Sequence, residues 1–522
     1  MNRLYYGDCL TIMQREMNPD SVDLIYLDPP FNSNRTYNAI YKDETGRPLP
    51  DQIEAFCDIW ILDEERERVI HGIPRFMIER GIDEEVVEFW KVWVKALRNT
   101  NPKLLAYLSY MVERLVQMKI ILKPMGSIYL HCDPTYSHYI KVVMDGIFGE
   151  KNYRAEIIWK RHNAHNDKLY GTIHDTIFYY SYGNKTIPKE VRLPLTDDRI
   201  GDFDGQDEHG KYESGDLKGS GQSGGESGKP WRGVDPGTRH WAPPKVGSRG
   251  EYAEYIVEHF IPNYGDIEGV HARLDALDEA GLILWPNKGN VPRLKRYLTD
   301  VGMPPQSIWD DIGKADGDED EGYDTQKPVA LLDRIIKASS KKGEIVFDPF
   351  CGCATTLIAA EKLKRQWIGV DIAIHAIKRV STVRLKEKCG LVEGRDYQIT
   401  GIPRTFEAAT DLWERDPYQF QKWVVEEVQG FVTSQRSNDG GVDGRIYFPE
   451  SSDSDELRAM KISVKGGKTV RIDDLRALAG IIDQEEYPMG GLITRKTLSE
   501  RQKRSFFNFC LGKGDIEINS TS

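Results

Sequence analysis

Asp28, Pro29, Pro30 and Phe31 follow directly on the apolar run Val22-Asp23-Leu24-Ile25-Tyr26-Leu27. A carboxylate beside a proline carbonyl makes two adjacent hydrogen-bond acceptors on a loop whose backbone is already restrained, so little order remains to be imposed when a donor docks. The exocyclic amine of a nucleobase is a group that needs such a pair. Its lone pair is delocalised into the ring, and it becomes nucleophilic only when the nitrogen is drawn toward a tetrahedral shape. Asp28 would accept one N–H and the Pro29 carbonyl the other, while Phe31 would offer a flat face to a base taken out of its stack. Standing alone, Asp-Pro-Pro is better read as a strand ended by a Pro-Pro turn with the acid as a cap. What else the chain carries decides between the two.

A second segment, Ile345-Val346-Phe347 followed by Asp348-Pro349-Phe350-Cys351-Gly352-Cys353 and Ala354-Thr355-Thr356-Leu357, reads as a strand, a turn of small residues and a helix. Ligands of α/β sheets bind outside the carboxyl ends of strands, where glycine lets the backbone come close. Roughly 20 residues past Gly352, Asp371 ends the next strand, which is the spacing of an acid that binds a ribose hydroxyl. The pattern suits a nucleoside cofactor. By itself it would serve equally as a tight strand-to-helix connection.

Taken in order, Leu27-Asp28-Pro29-Pro30-Phe31, Leu122-Lys123-Pro124-Met125-Gly126-Ser127, Thr325-Gln326-Lys327-Pro328 and Asp348-Pro349-Phe350-Cys351-Gly352 resemble the β-class DNA amino-methyltransferases over about residues 1–400. The resemblance implies a Rossmann-like α/β sheet with one reversed edge strand, S-adenosylmethionine as donor and double-stranded DNA as partner. It implies catalysis by Asp28, Pro29, Pro30 and Phe31. It further implies that Asp348, Phe350, Gly352 and Thr355 line the cofactor, that Asp371 takes its ribose, that Lys327 approaches its amino-acid end and that Asp8 sits near its adenine. Cys353 and Ala354 depart from the glycine and serine common in the family. The leading Asp28 looks like the adenine-modifying members, with N4-cytosine methylation as the alternative.

His131, Cys132 and Asp133 are adjacent on a predicted strand and point to alternate faces, so they cannot converge as a nucleophile triad without other partners. The seven cysteines show no CxxC spacing, which predicts free thiols, with Cys351 and Cys353 as small loop residues rather than metal ligands.

Near the C-terminus, Asp439-Gly440-Gly441-Val442-Asp443-Gly444-Arg445 followed by Ile462-Ser463-Val464-Lys465 resembles the PD-(D/E)xK nuclease core, a smaller restriction-endonuclease-like α/β domain. Such a core holds Mg²⁺ between carboxylates and uses the lysine to polarise water. Asp443 and Lys465 fit the pattern. Ser463 stands where the second carboxylate belongs, and Glu426 or Glu427 on the preceding helix is the expected substitute. The alternatives are a DNA-binding or partner-contacting module that has lost cutting, or a structural appendage.

The elements that must position these residues follow from periodicity. Apolar residues at helical spacing fill about 51–122, and strands are expected at 127–131, 156–160, 176–182, 344–347 and 366–370, with helices at 137–148, 329–339 and 355–363. This alternation builds a mostly parallel sheet. The irregular stretch between Gly183 and Lys327 carries Trp231, Trp241 and Trp285, which a disordered linker rarely does, so a folded recognition region is expected. The domain reading is 1–183 and 325–400 for the two halves of the methyltransferase, 184–324 for target recognition and 401–522 for the nuclease-like region.

A chain of 522 residues calls for two or three domains. Its formal charge of −12 argues against a simple basic nucleic-acid binder. Acid is concentrated at 63–67, 83–88 and 310–324, which leaves Trp159-Lys160-Arg161-His162 and Arg293-Leu294-Lys295-Arg296 as candidate phosphate contacts. No run of roughly 18 apolar residues is present and the first residues lack a signal-like pattern, so a cytoplasmic protein without a membrane partner is expected. A homodimer stays open.

Overall fold

The computed structural model describes residues 1–30, 36–39, 53–57, 60–162, 170–183, 188, 191–247, 252–286, 291–299, 302–315, 326–374, 376–428, 430–432, 442–449, 457–467, 471–484 and 487–495. Phe31, Thr325 and Asp439-Gly440-Gly441 lie outside them. The chain divides into two compact units, residues 1–191 with 306–522, and residues 192–305.

The first unit is built on a nine-stranded sheet. Its strands are β1 (Asn2–Tyr6), β2 (Val22–Leu27), β3 (Leu122–Cys132), β4 (Tyr153–Lys160), β5 (His174–Ser181), β6 (Ile308–Trp309), β7 (Ile345–Asp348), β8 (Gln366–Asp371) and β9 (Tyr397–Thr400), in the spatial order β6-β4-β5-β3-β2-β7-β8-β1-β9. All neighbouring pairs are parallel except those made by β5, which runs against both β3 and β4. The reversed strand is therefore internal, whereas the family resemblance led us to expect it at the edge. β4 and β6 add two more strands beyond it.

The unbroken apolar run of β2 is explained by burial on both faces, as in parallel sheets generally. Ile25 and Leu27 enter one core and Leu24 and Tyr26 the other, following the twofold alternation of a strand. The first core is covered by α1 (Cys9–Glu16), α2 (Glu64–Ile78), α3 (Glu84–Thr100), α4 (Pro102–Ile121) and α5 (Ser137–Phe148). α4 begins on Asn101, whose side chain accepts the Leu104 N–H, with Pro102 at the first helical position. It is buried nearly all round, as an apolar helix inside a large layer must be. The second core lies under α6 (Val329–Ser339), α7 (Thr355–Lys362) and α8 (Thr382–Cys389). Residues 53–57, expected to open the helical region, instead form a strand paired with 36–39.

The C-terminal residues of this unit form α9 (Phe406–Arg415), α10 (Pro417–Glu427) and a four-stranded sheet of β10 (Phe431–Val432), β11 (Gly444–Pro449), β12 (Leu457–Lys465) and β13 (Met489–Thr494). β10, β11 and β12 are antiparallel, and α11 (Ile472–Gln484) carries the chain to β13, which is parallel to β12.

The second unit, Arg192–Pro305, has its own core of Leu217, Trp231, Trp241, Tyr264, Leu274 and Leu294 among others. It contains an antiparallel sheet of 205–207, 210–215, 293–297 and 283–284 and the helices Tyr252–His259 and Val270–Glu279. Trp285 stacks on Trp231 with ring centroids 5.3 Å apart. Trp231 and Trp241, two of the tryptophans that argued against a linker, are thus part of a packed interior, while Trp285 covers Trp231 from the exposed side.

Candidate active site

Four adjacent parallel strands, in the order β2-β7-β8-β1, end on the same side of the sheet, and each is followed or closed by an aspartate: Asp28, Asp348, Asp371 and Asp8. The register sets this convergence, with Asp348 opposite Gly369 and Tyr6 opposite Asp371. A single cavity at these strand ends is bordered by all four acids, by Pro29 and Pro30, and by Lys327, Phe350, Gly352 and Thr355. Ten of the eleven residues expected at the catalytic and cofactor positions therefore meet there. Phe31, the eleventh, lies outside the described residues.

Asp28 is held by Lys327, whose Nζ bonds Oδ2, while Oδ1 is buried and has no hydrogen-bond partner among the described residues. The resemblance put Lys327 at the amino-acid end of the cofactor. In the structure its ammonium is on the carboxylate of Asp28.

The turn after β7 is shaped by backbone bonds. Asp348 Oδ1 accepts the Phe350 N–H at 3.0 Å, and Asp371 Oδ2 accepts the Gly352 N–H at 2.9 Å. Gly352 has φ +46° and Ala354 φ +64°, so an alanine holds a left-handed conformation at the N-terminus of α7. That costs about 1 kcal/mol and is imposed by the surrounding packing. Arg384, fully buried, donates to the Cys353 carbonyl and Ser381 to the Gly352 carbonyl, so α8 and the turn before it clamp this loop from behind.

Burial pushes the Asp348 carboxyl up to about 7, with Asp28 and Asp371 adding to the rise and Thr356 and the Phe350 N–H opposing it. Burial also raises Asp371. Burial would raise Asp8 too, but Arg114 together with the Thr11 and Leu10 N–H groups more than offsets this, and its carboxyl lies below the usual range. Asp8 caps α1 through the Thr11 N–H and is bonded by Arg114, itself buried, whose guanidinium lies 3.3 Å from the Tyr110 ring centroid. Burial raises the thiols of Cys351 and Cys353, and that of Cys9 to about 12, so they stay protonated and are poor nucleophiles.

Two aromatic residues that border the cavity, Tyr26 and Tyr110, were not foreseen. Tyr26 lies two residues before Asp28 and so on the same side of the strand, a signal that was readable. Tyr110 comes from α4, and no local pattern connects it with the cavity. His131, read as a strand end, bonds Tyr26 Oη through Nδ1 at 2.9 Å and Asp175 Oδ2 through Nε2 at 3.0 Å, all within the core. The partners in these two bonds come from β2 and β5.

The basic stretches are less available than their composition suggested. Trp159 is core, Arg161 pairs with Asp175 at 3.1 Å, Leu294 is buried and Lys295 is bonded to Asp207 at 2.8 Å.

In the C-terminal region Asp443 Oδ2 accepts the Val464 N–H at 2.6 Å, which brings it beside Ser463 and Lys465. Glu427, the expected substitute carboxylate, pairs instead with Lys378 at 2.8 Å, and Glu426 accepts the Ile374 N–H at 2.9 Å. Both are drawn to the segment after β8. Among the described residues no group of three His, Cys, Asp or Glu side chains is arranged to hold a metal ion, and no helix is long and apolar enough to cross a membrane.

A family model described as DNA methylase matches residues 22–382. The chain is 30% identical over 321 residues to a type II methyltransferase, M.EcaI, of Enterobacter cloacae, covering 60% of this chain and 65% of the relative. It is 26% identical over 391 residues to the Mod subunit of the type III restriction-modification enzyme StyLTI of Salmonella typhimurium, covering 70% of this chain and 50% of the relative. Over 61 residues, 12% of this chain and 21% of the relative, it is 52% identical to the DNA adenine methyltransferase YhdJ of Escherichia coli. The chain thus spans less than two thirds of the length of each of these relatives.

Proposed function

The chain belongs to the DNA methylase family matched by residues 22–382, and from that premise we propose that it methylates the exocyclic amine of an adenine flipped out of duplex DNA, with S-adenosylmethionine as donor. The observation that carries the reading is the meeting of Asp28, one oxygen buried and unpartnered among the described residues, with the Asp348 to Gly352 turn and Asp371 on one cavity.

The residues fit such a donor. Four carboxylates and one ammonium border the cavity, an environment that favours a ligand carrying positive charge. Asp371 is the acceptor for ribose hydroxyls and Gly352 allows close approach. When bound, the donor supplies a methyl group on a sulfonium centre. Asp28 Oδ1 accepts one amine N–H and the Pro29 carbonyl the other, which orients the nitrogen lone pair. Lys327 fixes Asp28 in that pose. Pro29 and Pro30 hold the loop rigid, so the acceptors need no rearrangement as the reaction proceeds.

Adenine rather than cytosine is supported by the leading Asp28 and by the likeness to an adenine methyltransferase. The unit Arg192–Pro305 serves target recognition in this reading. Long-read sequencing of DNA from cells expressing the chain tests it. N6-methyladenine at a defined sequence is expected; N4-methylcytosine would give the target to cytosine, and unmodified DNA would reject the activity.

For the C-terminal region the reading is a nuclease-like fold used for contact rather than cutting. Asp443 and Lys465 are present, but Ser463 is neutral and Glu426 and Glu427 are committed elsewhere, so the residues do not fit a Mg²⁺ site. Plasmid incubated with Mg²⁺ should stay intact. Cleavage that Asp443→Ala abolishes would overturn this.

A further inference from the structure

α10 touches the cofactor side of the sheet at a particular place. The segment Asp371 to Ile374 leaves β8, and Asp371, Ile372 and Ala373 border the cavity. Asp371 holds the segment from within, Oδ1 accepting the Ala373 N–H at 2.8 Å and Oδ2 the Gly352 N–H at 2.9 Å. From outside, Gln419 Nε2 donates to the Ile372 carbonyl at 3.1 Å and Glu426 Oε2 accepts the Ile374 N–H at 2.9 Å. These two bonds flank Ala373 on either side.

Gln419, Trp423 and Glu426 fall at i, i+4 and i+7, one face of the helix. Gln419 is 3% exposed, and Trp423 packs against the methyltransferase core as well as its own. Asp416, accepting the Gln419 N–H at 2.9 Å, and Pro417 fix where α10 begins and hence which residues meet the loop. A surface appendage would meet its neighbour through exposed, interchangeable side chains. Here a buried amide and a carboxyl group satisfy the two backbone groups on either side of Ala373.

We propose that Gln419 and Glu426 are positioning residues for the cofactor-binding segment Asp371 to Ile374, which makes the C-terminal region a working part of the methyltransferase site. The proposal rests on the reading of that cavity as the S-adenosylmethionine site. The carboxylate of Glu426 acts through the backbone of Ile374 and does not touch the ligand. Loss of either bond lets the segment depart from the geometry in which Asp371 faces the cavity, so affinity falls while the chemistry at Asp28 is spared.

The test is S-adenosylmethionine binding by calorimetry on the full chain, with steady-state methylation alongside. Glu426→Ala and Gln419→Ala should each weaken binding by roughly tenfold, the effect of one lost hydrogen bond, and raise KM for the donor with kcat at saturation unchanged. Glu426→Gln keeps an acceptor oxygen for the Ile374 N–H and should restore affinity. Asp411→Ala, on the exposed side of α9, should match wild type. Amide exchange at Ile374 should quicken in Glu426→Ala. Equal affinity in wild type and both alanine variants, even with a lowered melting temperature, overturns the positioning role. A wild-type chain that binds no S-adenosylmethionine overturns the methylase reading and this one with it.

Discussion

Lys327 Nζ bonds only one side of Asp28: it holds Oδ2, and Oδ1 remains buried with no hydrogen-bond partner among the described residues. An unsatisfied buried acceptor costs about 1–3 kcal/mol, a penalty that a substrate N–H would remove. Lys327 thereby sets which oxygen faces the amine.

Lys327→Met should therefore act on the rate. Single-turnover methyl transfer is expected to fall about 10- to 100-fold, with the donor dissociation constant changed by less than about threefold. The opposite pattern, weakened donor binding at an unchanged rate, would return Lys327 to the amino-acid end of the cofactor that the family resemblance assigned to it.

Asp348 makes the site sensitive to pH. Its carboxyl rises from 3.8 to about 7 on folding, so the folded state holds the proton more tightly. The stability this contributes is full below pH 3.8 and is lost as pH rises through about 7. In the free protein Asp348→Asn should raise the melting temperature more at about pH 8 than at about pH 5. A cationic ligand favours the ionised form, so S-adenosylmethionine affinity should increase between about pH 6 and pH 8 in wild type. Calorimetry across that range checks it: an equally steep slope in Asp348→Asn would remove Asp348 as the source.

Arg114 and Asp8 form a pair at the edge of the cavity, the arginine fully enclosed. Arg114→Met leaves Asp8 without its partner and should cost about 3–5 kcal/mol of stability, read from urea unfolding. A cost below about 1 kcal/mol would mean that the cap to Thr11 alone sustains Asp8.

Much of this was legible before the fold was known. The catalytic and cofactor segments could be read because each is local: a strand, a breaking residue and an acid in immediate succession. Helices 137–148 and 329–339 fell at the expected residues because their periodicity is unbroken. The partners of these residues were not legible. The Asp28 to Lys327 pair spans 299 positions, and Tyr110 reaches the cavity only because α4 packs across the first core. His131 shows the same limit, since its strand neighbours are sequence-distant and adjacent residues on its own strand face away. The Glu427 expectation failed for a related reason. Proximity in sequence to Asp443 suggested a shared site, but α10 turns that carboxylate toward Lys378.

The reversed strand and the start of the helical region were misjudged through tertiary effects. β6 is two residues long and joins β4 across more than a hundred positions, so no local pattern announces that the sheet continues past β4.

The most direct measurement is transfer of tritiated methyl from S-adenosylmethionine to duplex DNA by wild type and by Asp28→Ala, with donor binding measured on both. Incorporation by wild type, a loss of at least about a hundredfold in Asp28→Ala and retained donor affinity are expected. Asp28→Ala labelling DNA at the wild-type rate would contradict the catalytic role of Asp28.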